Sequence, residues 1–150
     1  MLCPIFGVKD KKALEHADNL GIAMQLTNIC RDVFEDAKND RIYLPADLFS
    51  SALTTANLKS EDSDSREACT AAKERLLQMA DELYTCSDAG IDYLPFRIRI
   101  VVRWASRMYR EIGNVIRTEP KRFHENRAVV GQTKKMFFLI KCITRSLYKK

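Results

Sequence analysis

The sequence predicts an all-α protein, a helical bundle, and three observations predict it. Apolar residues recur at three- and four-residue spacing over long segments. Glycine and proline are sparse, 5 and 4 in 150 residues, so few positions force the chain to break. Runs of β-branched residues are scarce, and nothing reads clearly as a sheet. A bundle buries one stripe of each helix against its neighbours, which is the layer architecture such a pattern can satisfy.

The first helix is expected over about Lys11–Lys38, with Asp10 as N-cap. It ends at "KNDRIYLP", where Asn39 and Asp40 break the period and Pro45 forbids continuation. Residues 46–62 read as irregular, with one weak turn around "ADLFSSAL". The second helix spans about Ser65–Ala89, with Ala68, Ala72, Leu76, Met79 and Leu83 as its apolar face, and "DAGIDYLP" closes it. The third opens at Pro95, a good first-turn residue, and runs to about Arg117. Its stripe is Ile98, Val101, Val102, Ala105, Met108, Tyr109, Ile112 and Val115. "TEPKRFHENRAVVG" is a linker. The fourth helix covers about Gln132–Tyr148, with Met136, Leu139, Ile140, Ile143 and Leu147 expected inward and its lysines outward.

A chain of 150 residues is long enough for one domain with a real core. Five widely spaced cysteines, an odd number without C-x-x-C, offer no zinc pattern or disulfide framework and favour a reducing, cytoplasmic compartment. No apolar run is long enough to span a membrane, and "MLCPIFGV" lacks the basic start of a signal peptide. The net charge of +5 is uneven: residues 121–150 carry nine Lys/Arg against one acid, leaving −3 on the other 120 residues. Such a tail suits an anionic partner in general, a diphosphate, a membrane surface or nucleic acid, or else a solvated helix face. The basic fourth helix is also a candidate for peripheral membrane contact, although amphipathicity alone does not establish it. No nucleic-acid partner is expected.

The first helix carries the chemistry. At about 100° per residue, Gly21, Asn28, Asp32 and Asp36 fall within roughly 60° of Gln25. A polar line is thus drawn through a helix that is apolar on much of its circumference. Asp32 and Asp36 are one turn apart, where like charges repel, and burying unpaired carboxylates costs several kcal/mol. A divalent cation resolves both problems. Magnesium takes oxygen ligands, commonly one or two carboxylates completed by phosphate and water. Asn28 can add an oxygen, and Arg31 and Glu35 lie beside the line. The competing explanation is a solvent-facing strip on an ordinary amphipathic helix, since D-x-x-x-D alone is common.

The stretch "LGIAMQLTNICRDVFEDAKNDRIYLPADL", residues 20–48, closely resembles the signature of the squalene/phytoene synthase family. The T-N-I-x-R-D-V form is nearer phytoene and dehydrosqualene synthases than animal-type squalene synthases. "LPFRIRIVVRWASRMYREIGNVI" and "ENRAVVGQTKKMFFL" resemble later parts of the family more weakly. The resemblance implies an isoprenoid-synthase fold, present in part. Residues 1–150 would be the C-terminal half of the domain, lacking the helix that bears the first aspartate-rich motif. The chain would then be a fragment or a split subunit, with a complementing N-terminal half or self-association as its partner. The implied activity is head-to-head condensation of two prenyl diphosphates, dependent on Mg2+, with NADPH only in squalene-type enzymes. By position, Asp32, Asp36 and Asn28 would hold metal. Gln25, Arg31 and Arg127 would bind diphosphate, with Lys134 a weaker candidate. Tyr109 would lie near the diphosphate in the catalytic centre, although a core tyrosine would look the same. Tyr43 is expected to be structural, and His16 and His124 surface residues. A squalene or hydroxysqualene synthase, a non-catalytic relative of the same fold and an inert remnant are the alternatives.

Overall fold

The computed structural model describes residues 7–48, 54–60, 63–118 and 128–148. Five α-helices follow in order: α1 Lys11–Lys38, α2 Thr55–Lys59, α3 Ser63–Ser87, α4 Phe96–Thr118 and α5 Gln132–Tyr148. Two 3-10 turns, Ala46–Leu48 and Gly90–Tyr93, join them, and no strand occurs among the described residues. The all-α expectation holds.

The ends of α1 are set by local chemistry. Asp10 accepts hydrogen bonds from the backbone N–H groups of Lys12 (2.8 Å) and Ala13 (3.1 Å), satisfying donors that the helix leaves orphaned. At the other end Asp40 takes φ +56°. The Asp40 N–H returns to the Ala37 carbonyl (3.0 Å) and the Arg41 N–H to that of Asp36 (2.9 Å), the paired bonds of a Schellman motif. The side chain of Asp40, paired with Lys59 at 2.6 Å, ties this exit to α2.

Three long helices form the body. Contacts run His16–Gly90, Thr27–Tyr84 and Cys30–Lys73, so α1 and α3 are antiparallel. One core cluster joins Cys30, Val33 and Ala37 to Cys69, Leu76, Leu77 and Ile116; a second joins Leu20 and Ala23 to Ala80 and Tyr84. An ionic ladder then links α3 to α4. Asp81 accepts from Arg117 (2.7 Å) and Arg110 (3.2 Å), while Arg117 also reaches Glu74 (3.0 Å). Beneath the turn at Gly90–Tyr93, the buried Arg103 pairs with Asp92 at 2.7 Å.

Three expectations need correction. The 46–62 region, expected to be irregular, contains α2. Thr54 and Asn57 form its capping box, the Thr54 hydroxyl accepting from the Asn57 N–H (3.2 Å) and the Asn57 amide oxygen from the Thr54 N–H (3.3 Å). In α3 the buried stripe is rotated: Cys69, Ala72, Lys73, Leu76, Leu77, Ala80 and Tyr84 face inward, while Met79 is half exposed. Ionic pairing holds Glu74 and Asp81 against α4, and that contact fixes the helix phase. Most consequentially, α5 turns Met136, Ile140, Ile143 and Leu147 outward, not inward. It packs on α4, through the fully buried Cys142 and a bond from the Trp104 indole N–H to the Lys135 carbonyl (3.1 Å).

Candidate active site

The middle of α1 places Gln25, Asn28, Asp32 and Asp36 along one line, as the helical period requires. Gly21 and Gln25 are exposed; Asn28, Arg31, Asp32 and Asp36 are half-buried. Arg31 grips Asp32 with two bonds, Nε to Oδ1 at 2.8 Å and Nη2 to Oδ2 at 2.7 Å. The Asp32 hydrogen bonds raise the Arg31 pKa, outweighing burial; the Asp32 charge and Tyr109 of α4 add to the rise. The structure therefore brings Tyr109 to the motif, joining two stretches that the sequence separates by about seventy residues.

Asn28 is the telling member. Its Oδ1 is buried and has no hydrogen-bond partner. Leaving such an acceptor unsatisfied costs about 1–3 kcal/mol, a cost that a ligand would remove. Among the described residues no three His, Cys, Asp or Glu side chains converge to hold a metal. The chain thus offers two carboxylates and an amide oxygen, all hard donors. That set fits magnesium, which leaves the rest of its shell to phosphate and water.

The line meets an apolar cleft of about 410 Å³, whose walls come from the first half of α1, the Gly90–Tyr93 turn and the start of α4. Leu20, Gly21, Met24, Ile91, Val102 and Ala105 are among its lining. Gly21 belongs to both line and cleft. His16, expected at the surface, is instead half-buried in the cleft wall, and its Nδ1 lacks a partner. Gly90 makes this possible: a Cβ there would lie 2.1 Å from the His16 Cβ.

Sequence reasoning also missed the contact that holds α1 in phase. The Thr27 hydroxyl donates to the Ala23 carbonyl (3.0 Å), so the Tyr84 hydroxyl donates to Thr27 Oγ1, also at 3.0 Å. Both residues are fully buried, and burial pushes the Tyr84 pKa up to about 12. Nothing in the sequence pairs Thr27 with Tyr84; only their shared inward phase could have hinted at it.

The remaining expected residues do not gather here. Lys134 is held by Glu111 at 2.6 Å on the α4–α5 contact. Tyr43 is exposed beyond the helix exit. Arg127 and His124 lie outside the described residues.

The profile of the squalene/phytoene synthase family matches residues 1–134. The chain is 36% identical over 141 residues to a 15-cis-phytoene synthase of Enterobacter agglomerans, covering 93% of this chain and 47% of that protein. A phytoene synthase of Pseudescherichia vulneris is 41% identical over 114 residues, 75% of this chain and 36% of its own length. One from Cereibacter sphaeroides is 36% identical over 150 residues, 97% of this chain and 41% of its own. The chain therefore spans less than half the length of each of these relatives. With the signature on α1 and the family profile covering most of its length, the chain belongs to the squalene/phytoene synthase family.

Proposed function

We propose that this chain supplies one wall of a magnesium-dependent prenyltransferase site. The reaction is the head-to-head joining of two prenyl diphosphates, of the phytoene- or dehydrosqualene-synthase type, in carotenoid or related isoprenoid biosynthesis. The junction at Gly21 carries this reading: a line of oxygen ligands runs along one helix into an apolar cleft. A prenyl diphosphate has the same two parts, a highly charged head and a hydrocarbon tail.

Asn28, Asp32 and Asp36 would hold magnesium, which supplies charge neutralisation and makes diphosphate a better leaving group. Arg31 keeps Asp32 oriented and presents guanidinium N–H groups towards the phosphate region. Gln25, exposed on the same line one turn beyond Gly21, can donate its amide N–H groups to the diphosphate. Tyr109 sits beside Arg31 and steadies it. The apolar walls exclude water from the allylic cation that diphosphate loss leaves behind. Arg127, outside the described residues, would add a further phosphate contact on the family resemblance. A facing aspartate-rich helix would come from chain upstream of these residues or from another subunit. Contact with a lipid surface belongs to the same reading, because long prenyl tails partition into membranes.

Two experiments test this. Magnesium with pyrophosphate should raise the melting temperature of the chain, and Asp36→Asn should remove the shift. No shift in a well-folded sample would point to a non-catalytic relative. Joined to the N-terminal half of a curated relative, the chain should consume prenyl diphosphate. Product mass, with and without NADPH, separates phytoene or dehydrosqualene from squalene-type products. Absence of turnover in the joined protein would sink the catalytic reading.

A further inference from the structure

The bond between Arg31 and Asp32 is not one that a helix makes by default. Consecutive residues on a helix project about 100° apart and do not face each other. Arg31 starts on the flank of the oxygen line and folds across it to reach Asp32. There it meets both carboxylate oxygens, Nε on Oδ1 at 2.8 Å and Nη2 on Oδ2 at 2.7 Å. The two side chains are 14% and 20% exposed, so water and salt weaken the pair less than they weaken a surface bridge. Tyr109 of α4 lies beside the same guanidinium.

The pair has a consequence for a cation. A guanidinium fork lies in the plane of the carboxylate and takes the open edge where a dication would bind. It also sets one positive charge against another. Arg31, Asp32 and Asp36 together carry a single formal negative charge. One turn earlier Asn28 is in the opposite condition, its buried Oδ1 having no hydrogen-bond partner. The line thus sets an unused amide oxygen next to a carboxylate whose two oxygens are both engaged. A diphosphate alters the balance. Guanidinium binds phosphate oxygens with the same two-pronged geometry, and the anion brings the negative charge that a dication needs.

We infer that Arg31 is a latch on the metal site: paired with Asp32 it keeps a bare dication out, and a diphosphate releases the carboxylate by drawing the guanidinium onto itself. This rests on the proposed magnesium and diphosphate site and adds an order to it. Metal and diphosphate enter together, and metal alone stays out. The coupling is reciprocal, so each ligand raises the affinity for the other by the same factor.

The test is metal binding to the full chain, read from the electron paramagnetic resonance signal of Mn2+, an oxygen-seeking octahedral ion that stands in for Mg2+. The parent should hold Mn2+ alone only weakly. Arg31→Lys should hold it about tenfold more tightly, the worth of one charge-assisted hydrogen bond. Lysine keeps the charge but not the fork, so this variant isolates the latch from simple repulsion. Arg31→Gln, which removes the charge as well, should bind Mn2+ more tightly still. Adding Asp36→Asn to Arg31→Lys should remove the gain, which places the ion on the oxygen line. With Mg2+ and pyrophosphate together the ranking should reverse, the parent showing the largest rise in melting temperature. A measurement on the parent needs no variant to fold: the Arg31 Nε–H signal in nuclear magnetic resonance should stay in place with Mg2+ alone and move with Mg2+ plus pyrophosphate. Arg31→Lys binding Mn2+ no more tightly than the parent overturns the latch, as does an Arg31 signal that moves with Mg2+ alone. In either case the parent would still respond to magnesium with pyrophosphate. If that response is absent, the site itself fails and the latch falls with it.

Discussion

Replacing Lys73 by methionine should stabilise this protein. Lys73 is 2% exposed on α3, and its ammonium sits 5.0 Å from the centre of the Phe34 ring. Burial lowers its pKa, partly opposed by the neighbouring Cys69 and Cys30 thiols. Removing an ammonium from water costs several kcal/mol even after relaxation, about 4 on a middle estimate. A desolvated cation–π contact returns about 2 kcal/mol. The lowered pKa agrees that desolvation is the larger effect. Methionine has a similar length, keeps the packing on Phe34 and carries no charge. The variant should therefore gain about 2 kcal/mol, or roughly 4–8 °C in melting temperature for a chain of this size. The pH dependence gives an independent handle. Between the lowered folded pKa and the unfolded value of 10.5, the unfolded state holds more protons, so stability rises with pH across that window. Below the folded pKa the full burial cost persists. Urea melts of both proteins at neutral pH and near pH 10 would show the gain and its narrowing. A Lys73→Met protein less stable than the parent by 1 kcal/mol or more at neutral pH would refute the reasoning.

Other outcomes follow from single contacts. Tyr84→Phe removes the donor to Thr27 and should cost about 1 kcal/mol in urea unfolding, because the Thr27 hydroxyl keeps its bond to Ala23. Gly90→Ala should cost about 1–3 kcal/mol by overpacking. His16→Ala should not rescue it, because the colliding atom is the His16 Cβ itself. Thiol labelling of the native protein should modify Cys86 and spare Cys30 and Cys69; Cys30 is buried, and its pKa is pushed up to about 12. Chelating divalent cations should leave the melting temperature unchanged, because Arg31 already compensates the Asp32 charge.

The helices and the polar line were legible because both rest on spacing. Asp10 caps α1, Gln25, Asn28, Asp32 and Asp36 lie along it as their period requires, and Pro45 stands beyond its end. Helix α2 was not legible, because five residues show no period; only the Thr54-x-x-Asn57 cap announced it. The phase of α3 was misread because Lys73 looks like a surface residue, whereas its stem and ammonium are drawn in over Phe34. The outward turn of α5 could not be read either. Periodicity says that a helix has an apolar face, but which neighbour meets that face is settled by packing, here by Trp104, Glu111 and Cys142. Tyr109 was placed near the diphosphate by resemblance; the structure shows it beside Arg31.

One joint in this molecule has a metrical consequence. Gly21 is shared by the cleft and the oxygen line, so both are carved on a single unbroken rod. Ala17 in the cleft wall and Asp36 at the far end of the line are separated by the rise of nineteen residues, about 28 Å. The Tyr84–Thr27 bond stops the rod from rolling. On the proposed reading, a prenyl diphosphate would be gauged by that fixed scale, its head set at the oxygen line and its tail measured from there. On the same reading, a change of guest length would leave the rod alone and fall on the side chains that line the cleft beside it.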